Sequence, residues 1–447
     1  MKRIRMIALI AGLLIGVMLV GYVNVMASPP NDLTEMPGTP ARNLIAPAFG
    51  EQNPGIITAA SGANDFAFRL SALLAKDEGG ENFVVSPFSV WLPLAALVNA
   101  TDEINRPALL EALGASGISA DDINAAASRM LYDLTNQREK DSFGLNRQFY
   151  PEGHEVNDPL KIANAIFVDI GVTIKQSFAQ TFMDYYRGSV INADFRSDEA
   201  ADAVNKWASD NTDGLIDRII EEFDEDAVAA IANAIYFSDA WAWEFDLNKT
   251  TEDVFRSPSG ETAAFYMLRE GDGLTYYEDE LVQAMPLFFA NGGGMYVLLP
   301  KDGDAVGLLT SMTNDYFGQI QRDSRMASGK LLLPRFTVES GIMPLKDVLE
   351  SMGVPLFNGE TAPLTGGLIE ESLRVWVSDA VQKAVIEVDE KGTTAAAVTV
   401  MQIVGTSLPM PTEPFEMICD RPFVFILYRH THDGGSQALF TGIVNRP

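Results

Sequence analysis

The chain is short of the residues on which most catalytic sites depend. Its 447 residues include three histidines, His154, His430 and His432, and one cysteine, Cys419. The patterns Gly-x-Ser-x-Gly, His-Glu-x-x-His and Cys-x-x-Cys are absent. A single cysteine also excludes an intrachain disulfide. We therefore expect a protein that is not an enzyme and that uses no metal or other cofactor.

The few candidate ligands and nucleophiles have simpler interpretations. His430-Thr431-His432 precedes Asp433-Gly434-Gly435, which favours a polar hairpin turn over a metal site. Cys419 stands just before a strand-like run, so we expect a small buried apolar residue rather than a reactive thiol.

Basic residues are also few, with 32 Lys and Arg against 61 Asp and Glu and a formal net charge of −29. A protein with this charge is repelled by phosphate-rich surfaces. The composition therefore argues against nucleic acid or a specific membrane lipid as a partner.

The N-terminus is the exception to the acidic character. Lys2, Arg3 and Arg5 precede an apolar run from Met6 to about Val23, and Val25-Met26-Ala27 offers small residues for cleavage. This pattern predicts that residues 1–27 are a secretory signal peptide, with an uncleaved membrane anchor as the alternative because the run is long. Either assignment puts the folded part outside the cytoplasm, secreted or held at the outer face of the cytoplasmic membrane. Residues 28–57 are rich in Pro and Gly and predict a disordered linker.

Charge is missing altogether from residues 392–412. The segment begins with small residues and continues as Val398-Thr399-Val400-Met401-Gln402-Ile403-Val404, a β-strand composition. Its alanines would also suit a helix, but the β-branched residues work against one. An exposed strand of this kind would promote aggregation unless the protein has a use for it.

Several motifs, in this order and spacing, resemble the serpin family of protease inhibitors. The run from Val388 to Ala397 resembles the serpin hinge, and the resemblance extends over most of the chain after about residue 58. The other matching motifs are Asn82–Ser89, Ala232–Phe237, Met295–Pro300, Leu333–Phe336, Asp420–Phe425 and Phe440–Pro447.

The resemblance implies an α+β serpin fold. It predicts a single domain over residues 58–447, with three β-sheets, eight to nine helices and an exposed reactive-centre loop at about 390–412. It also implies a monomer whose partner is a target protease, held in a covalent acyl-enzyme complex.

The resemblance also assigns the functional residues. It places the scissile bond at Thr406-Ser407, to within one or two residues. The hinge comprises Glu390, Lys391, Gly392, Thr393, Thr394, Ala395, Ala396 and Ala397. The bait flank comprises Ile403, Val404, Gly405 and Leu408. The residues matching the cluster that governs opening of the sheet are Ser86, Ser89, Asn233 and Gln382, with Trp241 at the top; Gln382 stands where the family usually has His.

Alternation along the loop agrees with insertion into a sheet. As a strand, the segment would place Thr393, Ala395 and Ala397 on one face, and these small side chains could enter between two strands without a clash. Non-inhibitory serpins often carry charge, proline or bulk in this hinge, and residues 392–397 carry none.

The predicted function is therefore irreversible inhibition of a serine protease. The bait has no basic or aromatic residue, which favours an elastase-like or subtilisin-like target. Two alternatives remain within the family: inhibition of a papain-like cysteine protease, and a non-inhibitory serpin acting as a binding or carrier module.

Overall fold

The computed structural model describes most of the chain. The described residues are 12–22, 35–36, 53–77, 80–135, 160–212, 214, 216, 218–223, 227–393, 414–431 and 435–447.

Nine α-helices occur within these described ranges. They are α1 (Pro54–Asp77), α2 (Pro87–Leu97), α3 (Arg106–Ala112), α4 (Ala120–Thr135), α5 (Gln176–Tyr186), α6 (Asp198–Asp210), α7 (Ala305–Ser311), α8 (Asn314–Asp323) and α9 (Lys346–Ser351).

The largest sheet, sheet A, has eight strands, and β4 and β5 form its parallel pair while the other pairs are antiparallel. In spatial order its strands are β12 (Phe336–Glu339), β14 (Val375–Val388), β1 (Gly12–Tyr22), β6 (Ala227–Phe237), β4 (Leu160–Asp169), β5 (Gly188–Ala193) and β2 (Glu35–Met36), with β13 (Met343–Pro344) also paired to β14.

Two further sheets meet at one long strand, β8 (Gly260–Glu278). Sheet B continues from it as β9 (Val282–Phe288), β10 (Gly294–Pro300), β16 (Phe423–His430), β17 (Ser436–Val444) and β3 (Phe83–Val85). Sheet C is formed by β8 with β7 (Thr251–Ser257), β11 (Arg325–Pro334) and β15 (Phe415–Ile418).

The core lies between sheet A, sheet B and the helices. Helix α2 is buried along its whole length, as its nearly continuous apolar sequence predicts. Strand β6 is likewise buried at ten of its eleven positions. A strand covered on both faces is apolar at nearly every position, and the sequence of β6, apolar except at Asn233, has this character.

The N-terminal region contains two features that composition did not predict. Helix α1 begins at Pro54, four residues inside the range expected to be linker, because the Asn53 side chain accepts a hydrogen bond from Gly55 N and caps the first turn. Segment Gly12–Tyr22, from the apolar run of residues 1–27, pairs as a strand on both sides within sheet A. Among the described residues, no helix is both long enough and apolar enough to span a membrane.

Candidate functional site: the hinge and the centre of sheet A

The hinge begins with a tight turn at the end of β14. Asp389 N donates to the Gly392 carbonyl at 3.1 Å, and the Asp389 carboxylate accepts from the backbone N–H groups of Lys391 and Gly392. A Cβ on Gly392 would lie 2.2 Å from the Asp239 carbonyl oxygen, so glycine is required by the close approach of the two backbones.

The turn is fastened to the top of β6 through Trp241. Trp241 N donates to the Lys391 carbonyl at 2.8 Å, and its indole Nε1 donates to the Asp389 carbonyl at 2.9 Å. The indole stacks on Phe289 with ring centroids 4.8 Å apart. Thr393 is fully buried and donates its N–H to the Asp239 carbonyl. The first hinge residues are therefore held against the structure rather than projecting from it.

Glu390 anchors the same turn by its charge. Its carboxylate accepts from Arg335 Nε and Nη2 at 2.6–3.0 Å and from the Thr250 hydroxyl. Burial would raise the pKa of Glu390, but the hydrogen bonds from Arg335 and Thr250 outweigh it and the pKa lies below its ordinary value. The ion pair therefore favours the hinge conformation at neutral pH.

The buried carboxyl of Asp239, on the other side of the hinge, has a raised pKa instead of a lowered one. Burial raises the pKa of Asp239, and the net value is about 6 even though the guanidinium of Arg429, 3.5 Å away, lowers it. The carboxylate also accepts from Asn291 Nδ2 at 2.8 Å.

We expect Glu390→Gln to lower the free energy of unfolding at pH 7 by about 1.5–3 kcal/mol, the usual contribution of a hydrogen bond to a charged group. Because the folded-state pKa is depressed, the stabilisation is present above the ordinary pKa of 4.5 and is lost as the pH falls through the folded value. Urea unfolding of both proteins at a series of pH values should show the difference closing below about pH 4.5.

Asp239→Asn is the matched control, with the opposite sign. A raised pKa gives a contribution that is present below 3.8 and lost as the pH rises through about 6. As the pH rises over this window, the free energy of unfolding of the asparagine variant should therefore increase relative to that of the wild type, by on the order of 3 kcal/mol at most. If both variants changed in the same direction with pH, the two carboxyls would not have the environments described here.

The predicted sheet-opening residues do come together beneath the centre of sheet A. Gln382 Nε2 donates to the Ser86 carbonyl at 2.9 Å, and its Oε1 accepts from Ser86 N at 3.0 Å. Ser89 Oγ donates to Asn233 Oδ1 at 2.5 Å. All four side chains are buried. Gln382 can replace a histidine here because its amide both donates and accepts.

The cluster is larger than sequence reasoning indicated. Asn233 Nδ2 donates to Asn164 Oδ1 at 2.7 Å, and Asn164 Nδ2 donates to the Tyr186 carbonyl. The Tyr186 hydroxyl in turn donates to Asn124 Oδ1 at 2.8 Å. The signal that was missed is a polar residue, Asn164, inside the otherwise apolar stretch from Ile162 to Val168 of β4. A buried network in which each member has a partner fixes the relative positions of β6, β4 and α5.

The two strands that carry the cluster, β6 and β14, are separated by β1. Gly16 pairs with Gln382 of β14 on one side and with Asn233 of β6 on the other. Within the described part of the chain, the sheet order brings β6 and β14 together only through this strand. The space between β6 and β14 therefore accepts one antiparallel strand.

A cavity of about 550 Å³ opens beside the hinge. Its lining includes the acidic residues Glu244, Asp246, Glu387, Asp389 and Glu390. Arg335 and Lys391 are the basic residues in the same lining, so the cavity is acidic on balance.

The rest of the predicted site lies outside the described residues. This applies to the hinge from Thr394 to Ala397, the bait flank Ile403, Val404, Gly405 and Leu408, and the bond Thr406-Ser407.

The cysteine and the histidines lie as their sequence context predicts where the structure describes them. Cys419 is fully buried, and burial raises its pKa. His430 ends β16 at the hairpin to β17, as its sequence context predicts, and His432 lies outside the described residues.

The sequence of this chain was compared with family models and with known proteins, and both comparisons found matches over most of its length. The family model described as Serpin (serine protease inhibitor) matches residues 61–447. Antichymotrypsin-2 of Bombyx mori is 29% identical over 395 residues, which cover 86% of this chain and 96% of that protein. Alpha-1-antitrypsin 1-4 of Mus musculus is 27% identical over 406 residues, which cover 89% of this chain and 91% of that protein.

Solved structures agree in fold. The native state of tengpin, a thermophilic serpin, superposes with a TM-score of 0.71 at 23% identity, covering 87% of this chain and 94% of tengpin. Human thyroxine-binding globulin superposes with a TM-score of 0.72 at 21% identity, covering 88% of this chain and 99% of that one.

Proposed function

Because the chain belongs to the serpin family, we propose that it is an irreversible suicide inhibitor of a serine protease of the elastase-like or subtilisin-like kind. The observation that carries the proposal is the centre of sheet A, where β6 and β14 accept a strand between them directly below the hinge. An inhibitor that inserts its own cleaved loop needs such a position.

The proposed mechanism begins as ordinary proteolysis. The protease nucleophile attacks the Thr406 carbonyl, the bond to Ser407 N breaks, and the new amino terminus leaves with a proton donated by the protease. An ester joins the protease to Thr406. The freed loop then enters sheet A from the hinge downward, as a strand antiparallel to β14, and carries the protease with it.

The free energy released by loop insertion is large enough to favour trapping of the protease over its release. A strand of about fourteen residues at roughly 3.3 Å each spans about 46 Å, so the attached protease moves about that far. New ladder bonds at about 1 kcal/mol each, together with apolar burial, supply on the order of 10 kcal/mol. Loss of one oxyanion-hole donor costs a protease about 2.7–4 kcal/mol, so this energy suffices to distort the site and stall deacylation. The intact state is then metastable and persists for kinetic reasons.

The hinge and the buried cluster would control the insertion. Insertion requires the turn at Asp389–Gly392 to stay at the end of β14 while Thr393 leaves the Asp239 carbonyl. It also requires β6 and β14 to stand one strand apart at the level of Gln382 and Asn233, as they do on either side of β1. We assign the Gln382–Ser86 and Ser89–Asn233 hydrogen bonds the role of holding α2 against these strands as they move.

Residues 392–412 carry no charge and no aromatic side chain, which limits the target. A protease that requires Lys or Arg before the cut finds neither here. Threonine before the cut fits a shallow apolar pocket. The acidic character of the domain and the export pattern of residues 1–27 fit a protein that meets its target outside the cytoplasm as a monomer.

The direct test is incubation with a panel of proteases, followed by denaturing electrophoresis. The protein tested is the chain without residues 1–27. We expect an SDS-resistant adduct with elastase-like or subtilisin-like enzymes and none with trypsin. An adduct with papain-like enzymes alone would replace the serine protease by a cysteine protease. Absence of any adduct, with the loop cut or uncut, would favour a non-inhibitory carrier.

The position of the cut is a separate prediction. Mass spectrometry of the released C-terminal peptide should show a start at Ser407, or within two residues of it. A cut outside residues 405–408 would overturn the assigned register of the loop. Efficient trapping of trypsin would overturn the assigned specificity.

A further inference from the structure

A strand from the N-terminus occupies the position that the proposed function reserves for the cleaved loop. Strand β1 pairs with β14 from Leu13↔Val385 to Tyr22↔Val375. It pairs with β6 from Gly12↔Phe237 to Gly21↔Ala227. A central strand bonded on both sides leaves no room in the ladder for another.

The inserted loop would use the same register positions. The turn at Asp389–Gly392 is closed by the hydrogen bond from Asp389 N to Gly392 O. Continuing this turn residue by residue places Thr399 opposite Gln382, which is the position that Gly16 holds in β1. The loop and the N-terminal segment therefore cannot both lie in the sheet.

The two segments are also alike in sequence when they are aligned in this register. Gly16-Val17-Met18-Leu19 falls on Thr399-Val400-Met401-Gln402, so that valine falls on valine and methionine on methionine. Both segments are free of charge throughout. Both also place a small residue at the level of the polar cluster, glycine in one and threonine in the other. The resemblance lies in the part of the loop that has to fit between β6 and β14.

We infer that segment Gly12–Tyr22 is an intramolecular occupant of sheet A, and that it bars insertion of the reactive loop for as long as it remains attached. Cutting after Ala27 turns the segment into a separate peptide. A tethered strand has an effective concentration in the millimolar range, and a released one is lost by dilution. Removal of residues 1–27 would therefore convert a blocked chain into one that can trap a protease. The blocking part of this inference depends on the proposed function, whereas the placement of the segment does not.

Engineered disulfides test the placement in the full chain. Paired residues on antiparallel strands have Cα atoms about 4.5–5.5 Å apart, within the range that a disulfide spans. We choose two adjacent pairs, Val17→Cys with Val381→Cys and Met18→Cys with Ala380→Cys, because adjacent pairs alternate in ladder geometry. Native Cys419 is buried and does not compete.

The matched control joins positions that are out of register. Val17→Cys with Val385→Cys places the two cysteines four residues apart along β14, about 13 Å, which a disulfide cannot bridge. At least one in-register pair should oxidise to an intramolecular crosslink, and the control should not. Failure of both in-register pairs, an equal yield in the control, or a crosslink between two chains would overturn the placement.

The same variants test the block. The oxidised in-register variant should lose adduct formation altogether. Reduction followed by removal of residues 1–27 should restore it to the level of the wild-type chain treated in the same way. Val17→Pro, which removes a ladder N–H, should relieve the block in the full chain, whereas Ala41→Pro, in the proline-rich region, should not.

The possible failures are distinguishable. The chain without residues 1–27 is called the leader-free chain below. A crosslinked chain that traps proteases as fast as the leader-free chain would contradict the block, but the proposed function would remain. An in-register crosslink with no trapping in any form contradicts the proposed function, and the placement stands on the crosslink alone.

Discussion

Ala395→Arg should convert the inhibitor into a substrate in the chain without residues 1–27. After insertion in the register that continues the hinge turn, Ala395 would lie opposite Ile386, which is fully buried. Residues directly opposite in an antiparallel pair share a face, so the arginine would have to enter the core without a partner. Burial of an unpaired charge costs several kcal/mol, which slows insertion until deacylation wins. The loop should be cut at the same bond, with no stable adduct on a denaturing gel.

Thr394→Arg is the control for this prediction. After insertion this position would lie opposite Glu387, which is partly exposed, so the guanidinium could stay in solvent beside a carboxylate. We expect this variant to retain adduct formation. If Ala395→Arg formed adducts with unchanged stoichiometry, the face that carries Thr393, Ala395 and Ala397 would not point into the core.

Cutting the loop should by itself raise the melting temperature of the leader-free chain. A nick between Val404 and Ser407 by a protease that is not trapped frees the loop to insert. A broken loop ordinarily leaves stability unchanged or lowers it. Here, insertion releases on the order of 10 kcal/mol, which should raise the unfolding temperature by about 10 °C in a domain of this size. The measurement is calorimetry of intact and nicked protein, and equal melting temperatures would mean that the loop does not insert.

The full chain provides the contrast. With Gly12–Tyr22 between β6 and β14, the nicked loop has no strand position to enter. We therefore expect the nick to change the melting temperature of the full chain little. A rise as large as that of the leader-free chain would show that the loop displaces the N-terminal strand.

Much of the fold could be predicted because local patterns and family motifs agreed. The polar hairpin predicted at His430 joins β16 to β17, and Cys419 is buried as its sequence context predicted. Matches to the family model and to solved structures confirm the α+β serpin fold inferred from the resemblance. Ser86, Ser89, Asn233 and Gln382 are joined by hydrogen bonds, and their role in opening the sheet stays a prediction.

Other features could not be obtained from the sequence. The polar cluster also includes Asn164, Tyr186 and Asn124, which join it through contacts between elements distant in sequence. A single asparagine in a strand sequence does not show which residue it will hydrogen-bond. The apolar run at the N-terminus suits export, a membrane or a buried strand equally, because a short run has no periodicity that separates them. Only the pairing with β6 and β14 distinguishes the last of these.

The most direct measurement is the intact mass of the species formed when the leader-free chain meets an elastase-like protease. Covalent trapping with loop insertion predicts a stable species whose mass is the protease plus the chain up to Thr406, less one water, with residues Ser407–Pro447 recovered as a separate peptide after denaturation. The account would be contradicted if the chain stayed uncut while the protease remained active. It would also be contradicted if the chain were cut but no covalent complex with the protease formed.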